Sequence, residues 1–529
     1  MSIATARVNM PTLLNYDAVP YEDCPLTESH PDYLSIVGHL FGVAAAPPDR
    51  CRVLELGCAS GGNLIPMAYY WPESTYVGVE LSEKQAEEGQ RLISELGLTN
   101  ITIMQADILS LDRNLGTFDY IIAHGVYSWV PSTVQEHLVK LCRQLLNPNG
   151  IAYISYNTFP GWQLRLPIRD MMLYHSRNAK SPQEKLGQST EMLQILAAGI
   201  PETSSLSEKW LKKEVSQLLQ RAPSYLMHDY LEDNNSPVYF HEFMDHVSRH
   251  QLQYLADADL YTMLGSSLSE EAEAELDKFD DLVEYEQYLD FFYVRYFRTS
   301  LLCHEQVDIA RDLDVEKLRQ WYFYAQLKSQ QEIDLYSTEP QVFVDQAGAS
   351  FDISHPLTKA ALVELAYIYP DSHSWPDLLR RAQTILEEVE SPFAKADADE
   401  LLGELFNLFV SQGLRLSSVK RNVTNAFDKR PKANCLARVY ASHNKCCVAS
   451  VHHASLRLDA MEQFMLTLLD GENTFDDIQQ AVANRLEHDE VFHQQLIEQG
   501  ITGTMLSTAL KSTIEQTLYH FASHGLLES

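Results

Sequence analysis

The sequence predicts a doubly wound α/β sheet in its first third, and three observations predict it. From Cys51 onward short β-branched runs alternate with helical stretches, a glycine-rich turn directly follows the first run, and helix start and stop signals recur between runs. Five strands are expected, at Arg52–Leu56, Tyr76–Leu81, Ile101–Asp107, Tyr120–Ala123 and Ile151–Asn157. Between the second and third, Ser82 with Gln85 reads as a capping box, Ala86, Ile93 and Leu96 follow at helical spacing, and Gly97 stops the helix. Ser132 with Gln135 repeats the device ahead of Val134, Leu138, Leu141 and Leu145, and Pro148-Asn149-Gly150 turns into the fifth strand.

After Pro160 the pattern becomes helical, at Gln163–Arg177, Pro182–Ala198 and Ser207–Arg221. A helix-to-strand pattern returns in Tyr239–Leu260. It offers a sixth strand near Gln253–Asp257, with a seventh at Arg298–Cys303, so that the helical stretch reads as an insertion in one sheet; a separate domain is the alternative. Beyond about residue 310, FDISHPLTKAALVEL (Phe351–Leu365) and LRLDAMEQFMLTLL (Leu456–Leu469) are alike. Each follows a strand-like run and precedes a turn and a further helix, at Trp375 and Phe475, as two winged-helix-like α+β modules would.

A chain of 529 residues, 45% hydrophobic and 21% charged, has material for three or four domains. The expected division is residues 1–50 as an N-terminal lid and substrate segment, 51–165 as a cofactor-binding core, and 166–236 as a helical insertion whose apolar faces suit a homodimer. Residues 237–305 complete the sheet, and 306–430 and 431–529 form the two modules. The net charge of −33 repels phosphate backbones, so nucleic acid is not an expected substrate. Residues 1–180 hold 12 basic and 18 acidic side chains, so most of the acidity lies beyond them, where a basic partner would be drawn. Gln251–Asp290 alone has twelve acids against one lysine and reads as a solvated helix face. Eight cysteines without a CxxC pair fit reduced thiols rather than bridges or zinc, hence a cytoplasmic protein without a metal. Neither a secretion signal nor a membrane span is expected, since Ile36–Ala46 is short and broken by His39.

The first strand runs into Glu55-Leu56-Gly57-Cys58-Ala59-Ser60-Gly61-Gly62-Asn63, and Glu80 closes the second strand, followed by Leu81. Glycines at such a turn let backbone approach a ligand, and an acid about twenty residues on accepts hydrogen bonds from ribose hydroxyls, so a nucleoside cofactor is expected. Glu55 puts negative charge where a pyrophosphate needs a positive field, which disfavours NAD. S-adenosylmethionine suits the acids better: it carries no phosphate, and its ammonium and sulfonium are cationic. Asp107 and the Ile108 backbone, past the third strand, stand where an adenine amino group is met. The fourth and fifth strands end in aromatic-rich loops, His124-Gly125-Val126-Tyr127-Ser128-Trp129-Val130-Pro131 and Ser155-Tyr156-Asn157-Thr158-Phe159-Pro160-Gly161-Trp162, which are expected to frame a cationic or amine acceptor.

The runs NYDAVPYEDCPLTESHPDYL, VLELGCASGGNLIPMA, FDYIIAHGVYSWVP, YISYNTFPGW and IRDMMLYH resemble bacterial class I S-adenosylmethionine methyltransferases that carry a methyltransferase regulatory domain. That family includes rickettsial outer-membrane-protein lysine methyltransferases. SPVYFHEFMDHVSRHQLQYLADADLYTML and EQYLDFFYVRYFRTSLLCHEQV are similar to the regulatory domain itself, and the two distal modules to winged-helix domains of those enzymes. Where relatives have Gly-Asp-Gly, this chain has Ala59-Ser60-Gly61. The resemblance implies a Rossmann-like class I methyltransferase sheet that binds S-adenosylmethionine and releases S-adenosylhomocysteine. Glu55, Gly57, Ala59, Gly61, Asn63, Glu80, Leu81, Asp107, Ile108 and His124 become cofactor contacts. Tyr127, Trp129, Tyr156 and Asn157 become acceptor-site residues, with Tyr16 and Asp17 as a lid. The implied acceptor is a lysine of a basic protein; a small metabolite acceptor and a non-catalytic scaffold are the competing readings.

Overall fold

The computed structural model describes residues 17–19, 23–201, 205–263, 268–395, 397–421, 423, 425–488 and 506–528. Its centre is a seven-stranded sheet of β1 (Arg52–Leu56), β2 (Thr75–Glu80), β3 (Ile101–Gln105), β4 (Phe118–Ala123), β5 (Leu146–Asn157), β6 (Leu252–Asp257) and β7 (Phe297–His304), in the order β3-β2-β1-β4-β5-β7-β6. The first five strands are parallel, β7 runs antiparallel between β5 and β6, and β6 is antiparallel to β7. The sixth and seventh strands therefore do complete one sheet, and the helical stretch is an insertion in it. The fifth strand begins at Leu146, so the Pro148–Gly150 run lies inside a strand with an irregular register opposite Phe118–Tyr120 rather than in a turn.

Strand alternation sorts the side chains into two layers. Val53, Tyr120, Ile122, Tyr153, Leu301 and Cys303 face one apolar core, which continues into the distal half of the chain. Leu54, Leu56, Ile121, Ile154, Tyr156 and Leu302 face the other. Helices α1 (Pro31–Leu40), α2 (Leu64–Tyr70), α3 (Glu83–Glu95) and α4 (Ser132–Leu145) flank the sheet. Ser82 caps α3 as expected, its Oγ accepting from the Gln85 amide at 3.2 Å. Pro131 rather than Ser132 precedes α4, without a side-chain cap, and Gln135 instead donates to the Tyr127 carbonyl at 2.7 Å.

The insertion consists of α5 (Gly161–His175), α6 (Pro182–Gly199) and α7 (Leu206–Leu218), which close on their own small core of Ile168, Met172, Leu193, Val215 and Leu218. The chain returns through α8 (Phe240–Ser248) into β6, then through α9 (Glu270–Leu276) and α10 (Leu282–Tyr293) into β7.

The acid-rich stretch before β7 is only partly a solvated face. Glu270, Glu271, Glu275, Asp277, Asp280, Asp281 and Glu284 are exposed, but Asp257, Glu286 and Asp290 are buried around the fully enclosed Arg298. Its guanidinium meets Asp290 at 2.9 Å, Asp257 at 3.0 Å and Glu286 at 2.9 Å, and sits 4.0 Å from the centre of the Phe240 ring. A buried cation reached by three carboxylates explains why acids recur where a run of solvated charge is expected.

In the distal half the two similar segments build similar units. A hairpin (Gln341–Val344 with Ser350–Ile353) leads into the helix Pro356–Ile368 and then Trp375–Glu388. A second hairpin (Cys447–Ala449 with Ser455–Arg457) leads into Ala460–Leu468 and then Phe475–His488. Helix α1 ties the sheet to this half, because Asp32 accepts from the Ser417 hydroxyl at 2.7 Å and the Ser418 amide at 2.8 Å. Cys24 and Cys447 form a disulfide, their Cα atoms 5.9 Å apart, with the Cys446 sulfur 4.0 Å from that of Cys24. This corrects the expectation of reduced thiols: the partners are 423 residues apart, beyond what spacing reveals. Among the described residues no helix is long and apolar enough to cross a membrane.

Candidate cofactor and acceptor site

The site is built at the carboxyl ends of β1, β2, β3 and β4, where open α/β sheets bind ligands. After β1 the amides of Gly57 and Cys58 both donate to the Val79 carbonyl, at 2.8 and 3.1 Å, which folds the loop back over β2. Ala59 occupies the left-handed region with φ 50°, a conformation that costs an L-residue about 1–2 kcal/mol. Its amide donates to Glu80 Oε2 at 3.0 Å, while Glu80 Oε1 accepts from the Ser82 amide at 2.9 Å. One carboxylate thus holds both the loop and the start of α3. Gly61 has φ 86°, and a Cβ there would come within 2.6 Å of Ile103 Cδ1, so glycine is required.

Glu55 shares the face of Val53 and is buried. Its Oε1 accepts from Asn63 Nδ2 at 3.0 Å, whereas Oε2 is enclosed without a hydrogen-bond partner. Burial pushes the carboxyl up to about 8, reinforced by the negative charges of Asp23 and Glu80 and opposed by the Asn63 hydrogen bond. An enclosed carboxyl with one oxygen unsatisfied fits a cationic group, and the donor set at this turn fits a phosphate-free nucleoside. Asp107 stands at the end of β3, one oxygen accepting from the Leu109 amide at 2.9 Å, with Ile108 beginning the next turn. Leu81 follows Glu80, and its carbonyl accepts from Gln105 Nε2 at 3.1 Å. His124 follows β4, hydrogen-bonded to the Tyr153 hydroxyl at 3.1 Å with its ring 5.9 Å from that of Phe297; burial lowers it to about 4, so it is neutral at pH 7. Asp17 accepts from the Ser82 hydroxyl at 2.7 Å and so lies beside the tip of β2. Tyr16 lies outside the described residues.

Three contributions escape sequence reasoning. Asp23 accepts from the Gly62 amide at 2.7 Å and the Ser60 hydroxyl at 2.8 Å, so close that a Cβ on Gly62 would stand 2.4 Å from the Asp23 carbonyl oxygen. Lys445, from the distal module, donates to Ser60 at 2.9 Å and pairs with Glu88 at 2.6 Å. His453 Nε2 approaches Asn63 Oδ1 at 2.9 Å, an oxygen that also accepts from the Leu26 amide at 3.0 Å. Only the Asp23 segment left a signal, the acid beside a cysteine and proline in YEDCP.

The acceptor-site expectations divide. The structure buries Tyr127 and Tyr156 in the core on the sheet face opposite that of Tyr153. Their hydroxyls are engaged by His246 at 2.8 Å and Ser300 at 3.0 Å, and both rings pack on Phe243. The reason is parity: Tyr156 lies one residue out of phase with Ser155 and Asn157. Asn157 ends β5, its amide donating to the Ser128 hydroxyl at 2.8 Å and its side chain to Asn235 at 3.1 Å. Trp129 is half-buried and stands edge-on to Trp162, the ring centres 6.3 Å apart.

Residues 53–150 match a model described as a methyltransferase domain, residues 222–304 one described as a predicted methyltransferase regulatory domain, and residues 429–526 one described as the PKMT C-terminal winged helix domain. An uncharacterised protein of Rickettsia prowazekii is 34% identical over 519 residues, 97% of this chain and 93% of that one. A second uncharacterised protein of that organism is 38% identical over 242 residues, 46% of this chain and 97% of its own length. Among solved structures, PKMT2 from Rickettsia typhi in complex with AdoHcy is similar with a TM-score of 0.83 and 28% identity, covering 96% of this chain and all of that one. Sheet, regulatory segment and winged helix are thus matched together over nearly the whole length, and the chain belongs to the PKMT family of class I S-adenosylmethionine-dependent methyltransferases.

Proposed function

We propose that this methyltransferase N-methylates lysine side chains of a basic protein. The observation that carries the reading is the full-length likeness to PKMT2, which extends through the winged-helix region and beyond what a cofactor-binding sheet alone requires. The exposed acids of α9 and its flanks, Glu270 to Glu284, give a lysine-rich partner a complementary surface.

S-adenosylmethionine supplies, when bound, an electrophilic methyl group on a sulfonium. In this reading Glu55 holds its ammonium, Glu80 and Leu81 its ribose, and Asp107 and Ile108 its adenine, while Gly57, Ala59, Gly61 and Asn63 shape the cradle and His124 walls it beside β4. Asp17, with Tyr16, forms the lid. The acceptor comes from the side of Trp129, Asn157 and Phe297. A lysine of pKa ~10.4 is neutral in roughly one molecule in a few thousand at pH 7. A pocket walled by aromatic rings and a neutral His124 withholds water from the ammonium and lowers that cost. No dedicated base is needed for such a reaction, and alignment carries most of the rate.

Incubation with methyl-labelled cofactor and a panel of basic and outer-membrane proteins is expected to place label on lysine; label found on small molecules alone would exclude a protein acceptor. The Glu55 assignment has its own test. Since the raised carboxyl is protonated at pH 7, holding a cation there must expel a proton. Calorimetry in buffers of different ionisation enthalpy is expected to show about one proton released per cofactor bound, with affinity rising from pH 6 to about 8 and then levelling. Glu55→Gln removes this release. Binding heats independent of buffer in the wild type would remove Glu55 from the ammonium site.

A further inference from the structure

Glu136 of α4, His246 of α8 and His250, two residues past the end of α8, form a cluster outside the cofactor site. The Nε2 atoms of the two imidazoles point at the two oxygens of one carboxylate: His246 to Oε2 at 3.0 Å and His250 to Oε1 at 2.9 Å. The rings are 5.6 Å apart at 67°, and the three candidate ligand atoms all lie within 4.8 Å of one another. We propose that these three side chains bind a divalent ion of the zinc class, and that the ion staples the regulatory segment to the methyltransferase domain.

Four features support the assignment. The donor set, two imidazoles and one carboxylate, suits zinc and its late first-row neighbours. Ligand atoms around a tetrahedral ion with ~2.0–2.1 Å bonds stand about 3.3 Å apart, so the 2.9 and 3.0 Å separations, each to a different oxygen of Glu136, open slightly while the wider spread of the three ligand atoms, within 4.8 Å, closes around the ion. The Glu136 side chain is 57% exposed, which leaves a path for the ion and room for a water as fourth ligand, while the two imidazoles are mostly enclosed. Finally, His246 has the outer support that metal-bound imidazoles show: its Nδ1 is hydrogen-bonded to the Tyr127 hydroxyl at 2.8 Å, which fixes the ring.

The position gives the ion a consequence. Glu136 falls within the methyltransferase match (53–150), and both histidines fall within the regulatory match (222–304). Tyr127 belongs to the loop after β4 and packs against Tyr156 and Phe243, so the cluster fixes that loop from behind. The spacing HVSRH puts the two imidazoles four residues apart, the first in the last turn of α8 and the second two residues beyond its end; the carboxylate is 110 residues upstream of His246.

The test uses the untagged full-length protein, stripped with a chelator and then titrated with Zn2+ and, separately, Co2+. The wild type is expected to take up one Zn2+ at this site with a Kd in the micromolar range or below, and to show the d–d absorption of four-coordinate Co2+ ligated by nitrogen and oxygen. Both His250→Ala and the milder Glu136→Gln should weaken binding at least tenfold, and neither should gain thermal stability from Zn2+ as the wild type does. Absence of Zn2+ binding at a 100-fold excess of metal over protein, or an affinity in both variants equal to that of the wild type, overturns the proposal. A Co2+ spectrum dominated by thiolate charge transfer and unchanged by His250→Ala overturns it too, placing the ion at Cys24, Cys446 and Cys447 with the Cys24–Cys447 disulfide reduced.

Discussion

Glu80→Ala is expected to weaken S-adenosylmethionine binding by at least a hundredfold, as read by calorimetry, while the protein stays folded. The Glu80 carboxylate accepts from the Ala59 and Ser82 amides at 3.0 and 2.9 Å and, as the acid at the tip of the second strand, is in the proposed reading the group that receives ribose hydroxyls. Hydrogen bonds to a charged acceptor are worth about 1.5–3 kcal/mol each. Losing those to the ribose, together with the bond that helps hold Ala59 in its left-handed conformation, amounts to about 3 kcal/mol, or roughly two decades in Kd. Glu80→Gln keeps the acceptor oxygen without the charge and should fall between the two. A Glu80→Ala protein that binds within threefold of wild type would show that the acid only shapes the loop.

Arg298→Met should lower the melting temperature by about 10 °C, the largest stability effect expected of a single substitution here. Methionine fills much of the volume but leaves Asp257, Glu286 and Asp290 buried with Arg295 as the remaining nearby cation, 3.2 Å from Asp290 and 3.8 Å from Glu286. Removing one partner from a buried ionic cluster costs about 3–5 kcal/mol, and a domain of this size loses a few degrees per kcal/mol. The sign of the pH dependence follows. Carboxylates stranded without their cation titrate higher in the folded variant than in its unfolded chain, so their penalty is complete at high pH and is relieved as they protonate. The gap in melting temperature between variant and wild type is therefore expected to narrow from pH 8 to pH 5. A melting temperature within 2 °C of wild type at pH 8 would mean that the cluster contributes no net stability.

The sheet is legible in the sequence because each parallel strand is a short apolar run bounded by helix signals, and because Glu55, Glu80 and Asp107 fall at strand tips where an acid has no packing role. The misreadings have physical causes. Tyr127 and Tyr156 carry the side chains an amine pocket would use, yet parity and Phe243 assign them to the core. The acids after Gln251 look solvated until Arg298, up to 41 residues away from its partners, is brought among them by the antiparallel pairing of β6 and β7. Lys445 and His453 are more remote still, 385 and 390 residues from Ser60 and Asn63, and no local pattern announces such a contact.

That last contact has a thermodynamic corollary. His453 touches Asn63, and Asn63 holds Glu55, so the distal module and the proposed ammonium site are joined through two side chains. With Glu55 as the cofactor's ammonium site, a ligand of the distal module that displaces His453 and so changes cofactor affinity has its own affinity changed by the cofactor by the same factor. Occupancy at one end of the molecule is thereby reported at the other, in both directions.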